Sequence, residues 1–450
     1  MFVVTHTEDP QPLRSAYPVP GYTSAGSKGV GVVLRPRDAR SEIPEATARE
    51  FNCGISSGYV TRRDSRSWTL SAERRVGYDV VLTDRILDPV NPALAGAAAA
   101  GRSGEIRRFV VLDGNVDRLY GAAMRAYFAH HGIACEFLPL EVSEQRKTLE
   151  YVTRIVDALD EFGTERHDPI IAVGGGVLLD IAGLAASLYR RGTPYVRVPT
   201  TLIGLVDAGI GAKTGVNHGE HKNRLGSYHP PGSVLLDRAF LGTLDRRQLS
   251  NGLAEVLKMA IVADRRLFDL LEAHADLLLD ERLRGVTETG DRVAREVLER
   301  AISGMLEELA GNLWETDLQR LVDFGHSISP LIEMRALPEL LHGEAVALDM
   351  ALFVEVSCHR GLVGVTNRDR MLRLIQKLGL PISHPLLEVS VLRRALADTT
   401  RHRGGMPRLP MPREIGSACF VNDISEDELV VAAKELRELE GDDGWSADRR

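Results

Sequence analysis

Two stretches of the chain combine residue types suited to a phosphorylated ligand. In IIAVGGGVLLDIAG an apolar run reaches Gly174, Gly175 and Gly176, and a helical pattern begins directly after them. Glycines let a backbone approach a pyrophosphate, and a helix start supplies free N–H donors and a partial positive charge. The spacing is not G-x-G-x-x-G, so a plain tight turn is the competing reading. Asp180, one turn on, is either an ordinary first-turn carboxylate or a group that reaches a ligand hydroxyl. The second stretch is VPTTLIGLVDAGIGAKTGVNHGEHKNRLGSYHPP. Thr200 and Thr201 offer hydroxyls at a strand end, and Gly209, Gly211 and Gly215 keep the backbone open. Lys213, Lys222, Asn223 and Arg224 gather cations and an amide in this loop-rich region, for which a basic surface loop is the bland alternative.

Glu255, His326 and His342 offer one carboxylate and two imidazoles. They form no H-E-x-x-H signature, and from the residues alone each His is more often a capping or core residue than a metal ligand.

These groups need elements to hold them. YDVVLTDRIL and RRFVVLDGNV read as strands, and TLEYVTRIVDALDEF as an amphipathic helix with Leu149, Val152, Ile155, Val156 and Leu159 on one face. DPIIAVGGG and YVRVPTTLIG are further strands, with VLLDIAGLAASLYRRG as a helix between them. Such alternation predicts a parallel α/β sheet, Rossmann-like, to about residue 240. From about residue 246 helical periodicity takes over, as in QLSNGLAEVLKMAIV and HGEAVALDMALFVEVSCHRG. The expected fold class is therefore α/β plus α. A mobile Pro/Gly/Ser-rich extension spans residues 1–67, an α/β nucleotide-binding domain 68–245, a helical domain 246–435 and a polar tail 436–450.

Composition narrows the function classes. The net charge of -8 over 450 residues leaves no electrostatic footprint for nucleic acid. No apolar run reaches the ~18 residues of a membrane span, and Ala93–Ala100 is far too short. The first residues lack a signal-peptide pattern. Cys53, Cys135, Cys358 and Cys419 form no C-x-x-C pair, which suits reduced thiols in a cytoplasmic protein.

In order along the chain, GGGVLLDIAG, YRRG, VPTTLIGLVDAGIGAKTGVN, HKNRLGSYHPP, NGLAEVLKMA, VDFGHSISP and LHGEAVALDM resemble successive blocks of the dehydroquinate-synthase-like sugar phosphate cyclases. The likeness covers roughly residues 68–435. It implies an NAD-binding domain, a helical metal-binding domain and a site in the cleft between them. By position, Asp113, Asn115, Glu144 and Lys147 match contacts to the adenosine half of NAD, and Gly175, Gly176 and Asp180 its pyrophosphate and ribose contacts. Thr200, Thr201, Lys222, Thr243 and Leu244 complete that set. Asp207, Lys213, Asn223 and Lys258 match positions at the nicotinamide ribose, the substrate hydroxyls or the phosphate, and Arg191 matches a phosphate-binding Arg. Glu255, His326 and His342 match the ligands of a divalent metal, Zn²⁺ by donor type, with Co²⁺ as a substitute.

The chemistry so implied is cyclic. NAD⁺ oxidises an alcohol, the neighbouring carbon becomes acidic, phosphate leaves by β-elimination, the hydride returns, and an intramolecular aldol reaction closes a carbocycle. The leaving phosphate itself takes the proton, so no side-chain base is assigned. Departures from dehydroquinate synthase point to a branch. Ser329-Pro330 stands where that enzyme has a second His, and Asp323 where it has Asn. Met305 stands where it has a Lys that holds the substrate carboxylate. FGHSISP and NLWE resemble the cyclases of sedoheptulose 7-phosphate, above all the 2-epi-5-epi-valiolone synthases, with 2-epi-valiolone and desmethyl-4-deoxygadusol synthases as alternatives. Arg401, His402 and Arg403 fall where family members place a basic substrate contact, and relatives are commonly homodimers. The competing class is a metal-dependent alcohol dehydrogenase of the glycerol type; a non-catalytic NAD-binding relative comes third.

Overall fold

The computed structural model describes residues 31–32, 56–97 and 107–441. Most of the expected extension, Cys53, the end of the run at Ala98–Ala100 and residues 442–450 of the expected tail lie outside the described residues. The chain divides into two compact units, with the second continuous from Val76.

In the first unit, β1 (Gly31–Val32), β2 (Ser56–Arg62) and β3 (Trp68–Arg74) form an antiparallel sheet in that order. Asp64 closes the β2–β3 turn, accepting from Arg66 N and the Ser67 hydroxyl, each at 2.7 Å. The sequence predicts that the nucleotide-binding domain begins at Trp68, but Trp68–Arg74 pairs back on Ser56–Arg62 instead. WTLSAER alternates and ends in charge, which suits a half-exposed hairpin and not a strand covered on both faces.

The second unit opens with β4 (Asp79–Leu82), α1 (Ala93–Gly96), β5 (Arg107–Asp113), α2 (Gly114–His130), β6 (Ala134–Leu140) and α3 (Leu149–Phe162). It continues with β7 (Ile170–Gly174), α4 (Gly176–Leu188), β8 (Tyr195–Pro199), β9 (Lys213–His218), β10 (His221–Tyr228) and β11 (Ser233–Leu236). Six strands make a parallel sheet ordered β4-β11-β8-β7-β5-β6. Strands β7, β8 and β11 are buried along their whole length, as strands covered on both faces must be. Ile155, Leu159 and Leu178 belong to one buried cluster, and Met124, Tyr127 and Phe128 to another. From β5 the chain steps outward to β6, then returns to β7 on the other side of β5. That reversal opens a crevice at the carboxyl ends of β5 and β7, where such sheets bind ligands.

The region expected to be loop-rich forms the β9–β10 hairpin. Thr214 and Val216 are buried within it, and Gly219 takes the positive φ of 58° at its turn. The register breaks between His221 and Leu225, so Lys222 and Asn223 sit on an irregularity, with Asn223 at φ 50°. Bulges of this kind re-aim side chains beside active sites.

The remainder is helical, as the periodicity predicts: α5 (Arg246–Val262), α6 (Arg265–Asp280), α7 (Glu288–Asn312), α8 (Ser329–Ala336), α9 (His342–His359), α10 (Val365–Lys377), α11 (Val389–His402) and α12 (Glu426–Glu440). Before α12 comes an unpredicted hairpin, β12 (Leu409–Glu414) with β13 (Ser417–Val421). Pro410 and Pro412 hide it from a sequence reading, yet β12 pairs with β13 alone, so prolines are tolerated. Helix α5 is buried from Leu249 to Val262 and α9 from Gly343 to Ser357. These central helices carry Glu255 and His342, and their core runs on into Leu202, Leu205, Val206 and Ile210 after β8.

Candidate active site

The crevice edge is built from strand ends. Asp113 ends β5 and caps α2, accepting from Asn115 N at 2.7 Å. At the end of β7, a Cβ on Gly176 would lie 3.1 Å from the Ala208 side chain, so the turn is held tightly against the segment after β8. Thr200 N donates to Gly174 O at 3.0 Å, and the Thr201 hydroxyl accepts from Gly204 N at 3.2 Å. Helix α4 therefore starts at the crevice edge, where its first N–H groups have no partner within the helix.

Beside them, the Lys147 ammonium is buried and donates to Asp180 Oδ2 and Asn223 Oδ1, both at 2.6 Å. Asn217 fastens the hairpin from the other side. Its amide donates to Glu144 Oε1 at 2.8 Å, and its Oδ1 accepts from Asn223 N at 2.7 Å. Glu144, Lys147, Asp180 and Asn223 thus come together, and Asn217 joins them without having been expected.

In the helical turn after β8, Asp207 meets Lys258 Nζ at 3.0 Å, and Lys258 meets Glu255 Oε2 at 2.6 Å. Burial alone would raise Glu255, but Lys258 and the two imidazoles outweigh it and hold the carboxyl well below its usual range. Burial would likewise lower Lys258; Asp207 and Glu255 keep it raised. Glu255 Oε1 is buried without a hydrogen-bond partner, 3.2 Å from His342 Nε2 and 3.6 Å from His326 Nε2. Three donor atoms converge there, one carboxylate oxygen and two imidazole nitrogens. An orphaned buried carboxylate oxygen facing two nitrogens fits a divalent cation, and this donor set suits zinc with positions left for substrate oxygens. A second group, Glu355, His359 and Glu435, differs because its members are already paired: Glu355 with Arg368 at 3.2 Å and His359 with Glu435 at 2.8 Å.

The ligands are braced. Asp349 Oδ2 accepts from the backbone of Ser327, Ile328 and Ser329 at 2.7, 2.6 and 2.9 Å, which fixes the loop that follows His326. Burial pushes His326 down to about 3, leaving a neutral imidazole. His342 Nδ1 lies 2.8 Å from Glu333 Oε2, and Lys222 Nζ lies 2.6 Å from both Glu333 oxygens. Burial and Lys222 oppose a proton on His342, but Glu333 and Glu255 raise it to about 9.

At the other side of His326, ion pairs of alternating sign run Lys213–Glu315–Arg320–Asp323–Arg403. The Tyr228 hydroxyl donates to Glu315 Oε2 at 3.0 Å. Burial would raise Asp323, but Arg320 and Arg403 lower it. Of the three basic residues near the C-terminus, Arg403 is buried and reaches this chain, whereas Arg401 and His402 are exposed. Met305 is buried in the helical core.

The family model described as 3-dehydroquinate synthase N-terminal matches residues 137–251, and its C-terminal counterpart matches 252–401, together more than half of the chain. The chain belongs to the dehydroquinate synthase family. Within this family, a 2-epi-5-epi-valiolone synthase from an Actinomyces species is 57% identical over 378 residues, 84% of this chain and 99% of its own length. A demethyl-4-deoxygadusol synthase from Trichormus variabilis is 38% identical over 375 residues, 83% of this chain and 90% of its own. The solved structure of ValA, a 2-epi-5-epi-valiolone synthase from Streptomyces hygroscopicus subsp. jinggangensis with NAD⁺ and Zn²⁺ bound, superposes with a TM-score of 0.79. It is 52% identical and covers 83% of this chain and 100% of that one.

Some family positions stay apart in this chain. Arg191 is exposed in the turn after α4, at the opposite end of that helix from the glycine turn. Thirteen helical residues separate them by about 20 Å. Thr243 bonds the Tyr120 hydroxyl of α2 at 3.1 Å, with Leu244 next to it, on the α2 side of the crevice. Arg320 and Glu333 carry no motif signal, and Asn217, Glu315 and Asp349 lie within motif blocks that assign them no role. Arg320 pairs locally with Glu315 and Asp323, whereas Asn217, Glu315, Glu333 and Asp349 also reach partners far along the chain.

Proposed function

We propose that this chain converts sedoheptulose 7-phosphate to 2-epi-5-epi-valiolone and inorganic phosphate, in the cytoplasm and as a homodimer. The observation that carries the reading is the Glu255–His326–His342 donor set, wired through Lys258 and Asp207 to the nucleotide crevice, in a chain 57% identical to a synthase of that name. Glu255, His326 and His342 would hold the zinc ion, and the crevice from Asp113 to Thr201, with Lys147, Asp180 and Lys222, would hold NAD. When bound, NAD takes up and returns a hydride while zinc polarises the reacting oxygen, so the net reaction is redox-neutral.

The protein's own groups bind and orient the sugar. Lys258 holds the Asp207 carboxylate in place, so Asp207 and Asn223 can accept and donate at substrate hydroxyls. Lys213, half-exposed and paired with Glu315, is positioned to exchange that partner for the substrate phosphate. Met305 is buried and offers no charge where dehydroquinate synthase has a Lys for the substrate carboxylate, which favours a neutral ketose head. Among the described residues Arg191 meets no site residue, so we assign its phosphate role to a second copy.

The test is incubation with sedoheptulose 7-phosphate, NAD⁺ and Zn²⁺, with products identified by NMR. The expected result is 2-epi-5-epi-valiolone and phosphate without NADH accumulation. Comparable turnover of the seven-carbon acid substrate of dehydroquinate synthase, or net NADH with a simple polyol, would overturn the proposal. In sedimentation, a mass near twice 49.4 kDa is expected; a monomer that retains full activity removes Arg191 from the site.

A further inference from the structure

The metal ligands and the nucleotide-binding hairpin meet at one buried carboxylate. Glu333, on α8, is 2% exposed. A charge so deeply buried persists only when paired and hydrogen-bonded. Its partners come from two different sites: His342 Nδ1 at 2.8 Å and Lys222 Nζ at 2.6 Å. Lys222 Nζ also lies 3.2 Å from His342 Nδ1. One ring nitrogen cannot donate to Glu333 and accept from Lys222 at once. The shorter contact, and the need for a free lone pair on the Nε2 that faces Glu255, put the proton on Nδ1. The Lys222 protons then go to Glu333.

We propose that Glu333 makes metal binding and dinucleotide binding one linked equilibrium. The inference rests on the reading of Lys222 as an NAD contact and of His342 as a zinc ligand. Glu333 divides its charge between an ammonium and an imidazole. A dinucleotide that draws on Lys222 loosens the ammonium's hold on Glu333, and the released charge strengthens His342 as a ligand. NAD⁺ therefore tightens zinc binding, and by reciprocity zinc tightens NAD⁺ binding by the same factor. Lys222 alone acts in the opposite sense, because it places a cation beside the ligand ring.

The test measures zinc affinity by chelator competition on the full chain, with and without NAD⁺ and with no sugar phosphate present. In the wild type, NAD⁺ is expected to lower the zinc dissociation constant by about 5- to 150-fold. Glu333→Gln keeps the volume and removes the charge. Its zinc affinity should fall by about 10- to 100-fold, and the effect of NAD⁺ on it should vanish. Lys222→Met should bind zinc more tightly than the wild type, with no further gain from NAD⁺. A carboxylate that only supports the fold would weaken zinc in both variants, so the opposite signs are the signature. Wild-type zinc affinity in Glu333→Gln, a surviving NAD⁺ effect there, or weakened zinc in Lys222→Met would each overturn the proposal. If Glu333→Gln fails to fold, the wild-type coupling and the sign of Lys222→Met still decide it. Because no substrate is used, a chain that shows the coupling but leaves sedoheptulose 7-phosphate untouched counts against the proposed reaction alone.

Discussion

His342→Ala is expected to abolish cyclisation and to strip the protein of its metal, while circular dichroism stays that of the wild type. His342 is the first residue of α9, and its Nε2 lies 3.2 Å from the unpartnered Glu255 Oε1. Truncation at Cβ removes one of three donors and leaves Glu333 buried with Lys222 as its partner. The helix should persist, because alanine is the best helix former and the first position needs no hydrogen bond from its own N–H. Loss of a bound cation forfeits several kcal/mol of charge stabilisation in the transition state. Turnover should therefore fall by roughly 10³-fold or more. Elemental analysis of the purified variant checks the assignment directly, since a wild-type metal content would mean that the ligand lies elsewhere.

Gly343→Ala should be almost as damaging, for a steric reason. A Cβ at position 343 would lie 2.0 Å from the backbone oxygen of Asn251 and 2.7 Å from its side-chain oxygen. Backbone cannot rotate out of the way as a flexible side chain can. The Gly343 N–H also donates to Asn251 Oδ1, so α9 meets α5 here with nothing between them. Asn251 lies one helical turn before Glu255, and His342 is adjacent to Gly343. One added methyl must therefore push two of the proposed metal ligands apart. Overpacking of this kind costs about 1–3 kcal/mol of stability, and a misplacement near 1 Å costs about 10²-fold in rate. The variant should retain its helices, lose metal to a mild chelator and turn over at about a hundredth of the wild-type rate. Unchanged metal retention would show that the start of α9 can slide along α5.

Four of the six sheet strands, β4, β5, β7 and β8, were legible as short apolar runs, two of them ending at Asp-Gly or glycine, whereas β6 and β11 were not read. Helices α5 and α9 were legible as helices, but not as buried ones. Polar residues such as Asn251, Glu255, Lys258 and Asp349 suggest a wetter face, and only in the fold are they paired or aimed at the site. The three proposed metal ligands could not be deduced from spacing, because they come from α5, a loop and the start of α9. Their resemblance to a family, not their periodicity, singled them out. The hairpin β9–β10 was masked by its glycines and cations, and β12 by its prolines. Glu333 was beyond reach, and Glu315, although in the NLWE block, carried no sign of its partners. A lone carboxylate in a short helix or loop looks like solvent-facing charge until its distant partners are known. Arg191 matched a motif, yet it lies exposed between α4 and β8, at the end of α4 away from the glycine turn, so the motif alone does not show what it meets.

The irregular step in β10 fixes how the two ligand sites are addressed. Lys222 and Asn223 are consecutive, yet the first reaches Glu333 and the second reaches Lys147. A regular strand sends neighbours to opposite faces in strict alternation, so a slip of one residue exchanges their destinations. The register break before Leu225 absorbs that constraint within three residues. Chain length in this short segment is consequently as much a part of the proposed site as any side chain. The ammonium and the amide would trade places if a single peptide unit were gained or lost there.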